Sequence, residues 1–182
     1  MRYELSMYES AMGESFTRLA PQLQQFHRLR GDHELHGRVE VLAPGSMLAK
    51  LLARFLGTPL HANEGPIRFE LDAQPSRESW TRHFPSNVMT SHLHLDSSTL
   101  VQKLGAARLI FVLSANDGNL HMHLRELKFF GVPCPRWLMP AVVAEETGGE
   151  DRLYFHVRAD VRHIGLVAGY RGYLSLPRRG QA

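Results

Sequence analysis

Between Leu120 and Leu176 two long segments of alternating apolar residues are joined by Gly131-Val132-Pro133-Cys134-Pro135-Arg136-Trp137-Leu138-Met139-Pro140. Three prolines in ten residues fix φ at three points and remove three N–H donors, so neither a strand nor a long helix runs through this stretch. It must be a shaped corner that turns one segment back toward the other. Trp137, Leu138 and Met139 sit between the prolines and need apolar surroundings. Two readings follow. In one, the connector is a plain crossover whose Trp137 completes the core, the commoner role of a large aromatic. In the other it is a lid or plug across the open end of a curved sheet.

The rest of the chain supplies that sheet. Tyr8, Met12, Phe16, Leu19, Leu23 and Phe26 recur at spacings of three and four, one helical stripe that Pro21 divides into two short helices. Leu35 to Leu42 alternates as a strand. Ser46 then caps an amphipathic helix over 46–56, which Gly57 and Pro59 stop. Lys50 and Arg54 on its polar face allow a membrane-surface role, although its leucine-rich face suits packing on a sheet. Ile67 to Asp72 and Glu78 to Phe84 form a hairpin around Gln74-Pro75-Ser76, and strands follow at Met89 to Leu95 and Leu100 to Leu104. The apolar run Leu109 to Leu113 reads as buried on both faces. Asn116-Asp117-Gly118-Asn119 predicts that it pairs antiparallel with Leu120 to Phe130. Leu153 to Arg162 is the clearest alternation, and Tyr170 to Leu176 returns as the last strand.

These elements predict an α+β fold that is mainly antiparallel β: a strongly curved sheet, half-barrel or barrel of about eight or nine strands with N-terminal helices and one inserted helix. The length of 182 residues suits a single domain over 1–182, with a helical segment at 1–30, the sheet at 35–176 and the connector at 131–140. The longest apolar runs fall far short of the ~20 residues of a transmembrane helix. Glu4 and Glu9 interrupt any signal-peptide core, and the one cysteine, Cys134, excludes an internal disulfide, so a cytoplasmic location is expected. The net charge of +3 is spread along the chain, with one basic tip at Pro177-Arg178-Arg179-Gly180, and no nucleic-acid partner is expected.

Arg82 is the most unusual polar placement, because period-two geometry puts it on the face of Trp80 and Phe84. Either this face is inward, and the guanidinium then needs a carboxylate or an anionic ligand, or Arg82 stacks on Trp80 at the rim. His92-Leu93-His94 and His121-Met122-His123 would hold a metal only if their strands were neighbours, and no carboxylate in register supports that, so no metal or other cofactor is expected. Cys134 has no base beside it in sequence and no helix N-terminus to activate it. G-x-S-x-G, G-x-G-x-x-G and P-loop signatures are absent. His27 and Glu126 are the remaining acid-base candidates.

Met7-Tyr8 to Phe26-His27, Trp80-Thr81-Arg82-His83-Phe84, the connector and Tyr170-Arg171-Gly172-Tyr173-Leu174, taken in order and spacing, resemble a bacterial family known as domain of unknown function 4166. Members of that family stand alone or behind a saccharopine-dehydrogenase-like NAD-binding domain. The resemblance therefore implies a supporting role to a reductase, such as holding an apolar substrate, and carries over no catalytic residues.

The expectation is a binding module without catalytic residues. A sheet-enclosed cavity would take a small apolar or lipid-like anionic ligand, with Trp80, Arg82, Trp137 and Tyr170 near its mouth and Arg82 or Arg171 meeting the head group. The alternatives are a domain docking to a separately encoded NAD-dependent reductase through the Leu48 to Phe55 helix, which requires that helix to be exposed, and an enzyme using the same cavity through His27, Glu126 or Arg82.

Overall fold

The computed structural model describes residues 5–177, so Glu4 and residues 178–180 of the basic tip lie outside the described residues. The N-terminal stripe becomes three short helices: α1 (Met7–Met12), a 3-10 turn (Gly13–Arg18) and α2 (Pro21–His27). Ser6 caps α1, its Oγ accepting from Glu9 N while Ser6 N donates to Glu9 Oε2. Pro21 occupies the first turn of α2, where its missing N–H costs nothing. Tyr8, Phe16, Leu23 and Phe26 from these helices are buried in the main core.

The strands are β1 (Gly31–Leu42), β2 (Asn63–Gln74), β3 (Arg77–Phe84), β4 (Asn87–Asp96), β5 (Thr99–Leu104), β6 (Ala107–Asn116), β7 (Asn119–Phe129), β8 (Val132–Pro133), β9 (Ala141–Gly149), β10 (Arg152–Val161) and β11 (Gly165–Ser175). Every pairing between them is antiparallel. Neighbours run β6-β5-β4-β3-β2-β1-β11-β10-β9-β7, and β6 also pairs with β7, so ten strands close into a barrel. Asp117 and Gly118 both have positive φ, the type I′ geometry that the Asp-Gly pair favours, and β6 pairs with β7 as expected.

Two sequence expectations change. The strand count rises because β9 had not been read as a strand, and its inward positions explain why: Val142, Ala144 and Glu146 mix apolar and charged groups on one face. Leu109 to Leu113 is not covered on both sides, since Phe111 is buried while Ile110 and Val112 are half-exposed on the outside of a single-layered wall.

The barrel's two ends differ. The N-terminal helices pack across one end, where Ala20 N donates to Gly118 O at the β6–β7 turn. The other end carries α3 (Met47–Leu56), inserted between β1 and β2. Ser46 Oγ accepts from Ala49 N and donates to Ile164 O, tying the start of α3 to the β10–β11 turn. Its far end meets the β5–β6 turn through Ala106 N donating to Phe55 O, and the β3–β4 turn through Asn87 Nδ2 donating to Gly57 O. Gly105 sits beneath this crossing with φ +52°, and a Cβ there would collide with the Phe55 carbonyl, so glycine is required.

Candidate functional site

Between the helical plug and α3 the barrel encloses a cavity of about 440 Å³, within the size range of small-molecule sites. Its wall is apolar over most of its area. Leu48, Leu52 and Leu56 of α3 roof it, Phe26 and Trp80 lie toward the plug, and Val142, Leu153 and Tyr170 come from the strands between. The charged residues on the wall are Arg82, Glu145 and Glu146. Of these, Glu145 is engaged by His121 Nδ1 at 3.3 Å on the partly exposed side of β9.

The inward face of β3 reads Glu78, Trp80, Arg82, Phe84 from the plugged end to the α3 end, and all four are buried. Alternation places the guanidinium there, and aromatic neighbours hold it. Arg82 Cζ lies 4.9 Å from the Trp80 ring and 5.5 Å from the Phe69 ring. Arg82 Nη1 donates to Ser91 Oγ at 3.2 Å, and among the described residues no carboxylate pairs with it. A guanidinium has five N–H donors, and the Ser91 bond uses one of them. This is the inward alternative of the two that the sequence leaves open.

Beneath Arg82 lies a buried polar cluster that joins the plug to the barrel. Trp80 Nε1 donates to Glu78 Oε2 at 2.7 Å, and His27 Nε2 donates to Glu146 Oε2 at 2.7 Å. The Tyr8 ring stacks on His27 at 3.8 Å. Burial raises the pKa of Glu78, helped by the neighbouring Glu146 and opposed by His27, the Trp80 bond and Arg30. Burial likewise lifts the Tyr8 phenol well above its ordinary value, with Glu78 and Glu146 adding to the rise. Sequence reasoning did not single out Glu78 or Glu146. Glu78 was within reach, because it shares parity with Trp80 and Arg82 on one strand.

The wall has a seam. The β7–β9 ladder consists of Leu120 with Glu146 and His121 with Glu145, at the plugged end. Toward α3, β7 pairs instead with the two residues of β8. The proline-rich connector covers this seam, and Cys134, Leu138 and Pro140 line the cavity there. Trp137 does not: it is 75% exposed, so the reading in which it completes the core is corrected, and Leu138 takes the inward place. Pro135 caps the 3-10 turn Arg136–Leu138 from which Leu138 faces inward.

The structure brings Trp80, Arg82 and Tyr170 together on the cavity wall, all three buried. Arg171, one residue on from inward Tyr170, faces outward and binds Glu40 at 2.7 Å, so it is not part of the wall. His27 is fully covered by the plug, and Glu126 stands exposed on β7, so neither reaches the cavity. The His92/His94 and His121/His123 pairs occupy β4 and β7, which β5 and β6 separate. Among the described residues no group of three His, Cys, Asp or Glu side chains is placed to hold a metal ion. Burial pushes the Cys134 thiol above its ordinary pKa, away from thiolate chemistry.

A family model described as "Domain of unknown function (DUF4166)" matches residues 19–174. No curated protein matches the chain. Solved structures do, among them the crystal structure of Rv2717c from M. tuberculosis, which is 13% identical, covers 88% of this chain and 99% of its own, and superposes with a TM-score of 0.49.

Proposed function

The chain belongs to the family of domain of unknown function 4166, and on that premise we propose that it is a binding module for a small amphiphile with an anionic head group. The head group pairs with Arg82 deep in the barrel, and the apolar remainder lies along the wall toward α3 and the connector. One observation carries this reading: a buried guanidinium, held over two aromatic rings, faces a cavity with no carboxylate paired to it among the described residues. An uncompensated buried cation costs several kcal/mol, and an anionic ligand removes that cost while its tail replaces water on apolar walls. The position of Arg82, two residues from Trp80 on the inward face of β3, supports a head-inward orientation. Acid-base catalysis has less support, since His27 and Glu126 stand outside the cavity wall.

Native mass spectrometry of freshly purified protein, with organic extraction of whatever travels with it, tests the proposal. The expected finding is a fatty acid or similar apolar anion, or uptake of a medium-chain fatty acid by the emptied protein. Failure to bind any such acid, with the fold intact, would overturn it.

A further inference from the structure

The end of the barrel that carries α3 is unlike the rest of the surface. α3 buries Ala49 and Ala53 against Val167 and turns leucines toward the cavity, yet it leaves Met47, Leu51 and Phe55 exposed. Phe55 packs edge-on against Phe130 at 5.3 Å, which joins the helix to the beginning of the connector, where Phe130, Val132 and Trp137 are exposed as well. Apolar groups gathered in this way mark an interaction surface.

The charge around them is one-sided. Lys50 and Arg54 lie on α3, Lys103, Arg108 and Lys128 on β5, β6 and β7, and Arg136 on the connector. All three lysines of the chain are in this set, and none of the six cations is ion-paired among the described residues. Cross-strand register puts Lys103 opposite Arg108 and Arg108 opposite Lys128, three like charges abreast on the outer face. Such an arrangement is unfavourable in isolation. Residues 43–62, 102–110 and 125–140, on the side of this end where α3 meets the β5–β6 turn and the connector, hold seven Lys and Arg against the single acid Glu126. The whole chain holds 21 against 18, so the remainder is left with 14 basic against 17 acidic residues.

We propose that this end docks onto the surface of an anionic phospholipid bilayer, with α3 and the connector inserted at the level of the head groups and the basic strand ends lying over the phosphates. Exposed aliphatic and aromatic side chains ringed by unpaired cations are what an anionic membrane interface takes up. Nucleic acid fits less well, because Phe55, Phe130 and Trp137 could stack on bases but Met47, Leu51 and Val132, exposed beside them, could not. The surface stands whether or not the cavity is filled, so its test is separate from the ligand test above.

The whole protein is mixed with vesicles of phosphatidylcholine, with and without phosphatidylglycerol, and both flotation and tryptophan emission are read. Trp80 is already buried and Trp137 is exposed, so a blue shift on binding reports Trp137 and disappears in Trp137→Phe. The expected result is flotation with the anionic vesicles alone, weakened by salt and by more than about tenfold in Lys103→Glu/Lys128→Glu. Both substitutions are on the outer face, and an unchanged melting temperature verifies the fold. No flotation at low salt, flotation indifferent to charge reversal, or an unchanged emission spectrum would each overturn the proposal. So would a dimer in solution that Met47→Glu dissociates, or salt-dependent binding to an oligonucleotide in preference to vesicles.

Discussion

Replacing Arg82 by methionine separates a ligand anchor from a structural residue. In the unliganded protein the guanidinium loses two cation–π contacts, each worth about 0.5–2 kcal/mol, and one hydrogen bond to Ser91 worth about 1 kcal/mol. Against this stands the cost of keeping an unpaired cation inside an apolar wall, several kcal/mol, which the substitution removes. The terms nearly cancel, and the unliganded variant is expected to unfold within about 2 kcal/mol of the wild type. That corresponds to a shift of no more than about 4–8 °C. Binding behaves differently, because truncating one member of a buried charge pair costs about 2–5 kcal/mol, or about 30-fold to several thousand-fold in affinity. Calorimetry on delipidated protein with a medium-chain fatty acid and its methyl ester reads both effects. At a ligand concentration of about 100 times Kd the wild type gains about 2.7 kcal/mol from the acid, a rise of about 5–10 °C, and the variant gains far less. The ester binds both proteins alike. Equal losses for acid and ester, or an unliganded variant destabilised well beyond the stated range, would refute the assignment of Arg82 as the anion anchor.

Four further outcomes follow from the plug and the roof. Ser6→Ala removes the α1 capping box and is expected to cost about 1 kcal/mol, measured by denaturant unfolding. Glu78 and Glu9 give opposite pH dependences. Burial raises Glu78 in the folded state, so its contribution to stability is present at low pH and is lost as pH rises above the ordinary value of 4.5 toward its raised value. Glu78→Gln should flatten that decline in a series of melting temperatures. For Glu9, burial is outweighed by the bonds from Ser6 and Arg28, which hold its carboxyl below 4.5, so its contribution is present above that value and is lost as pH falls below it. Glu9→Gln should remove the acid-side loss. Gly105→Ala forces a Cβ against the Phe55 carbonyl at a positive φ, a strain of about 1–3 kcal/mol, and by lifting the end of α3 should speed ligand exchange in stopped-flow measurements.

What could be read from the sequence, and what could not, divides by range of interaction. Period-two alternation was sufficient to put Arg82 on the face of Trp80 and Phe84, because parity along one strand is local. The Asp117-Gly118 turn fixed the β6–β7 pairing for the same reason. β9 escaped because its inward Glu146 makes sense only beside His27, 119 residues away in the chain. Trp137 misled because residue type argues for burial, while the 3-10 turn Arg136–Leu138 puts Leu138 in the inward place. The basic residues looked scattered for a related reason. Lys50, Lys103 and Lys128 are distant in sequence, and they converge once α3 rests on the β5–β6 turn and Phe55 meets Phe130. Barrel closure thus sorts the chain's charges by end. At the plugged end His27 is bonded to Glu146 and Trp80 to Glu78, whereas Lys103, Arg108 and Lys128 at the α3 end stand abreast with no ion pair among the described residues. One end is held by its own interactions, and the other has its strongest unmet interactions directed outward, which is where a partner surface gains most by binding.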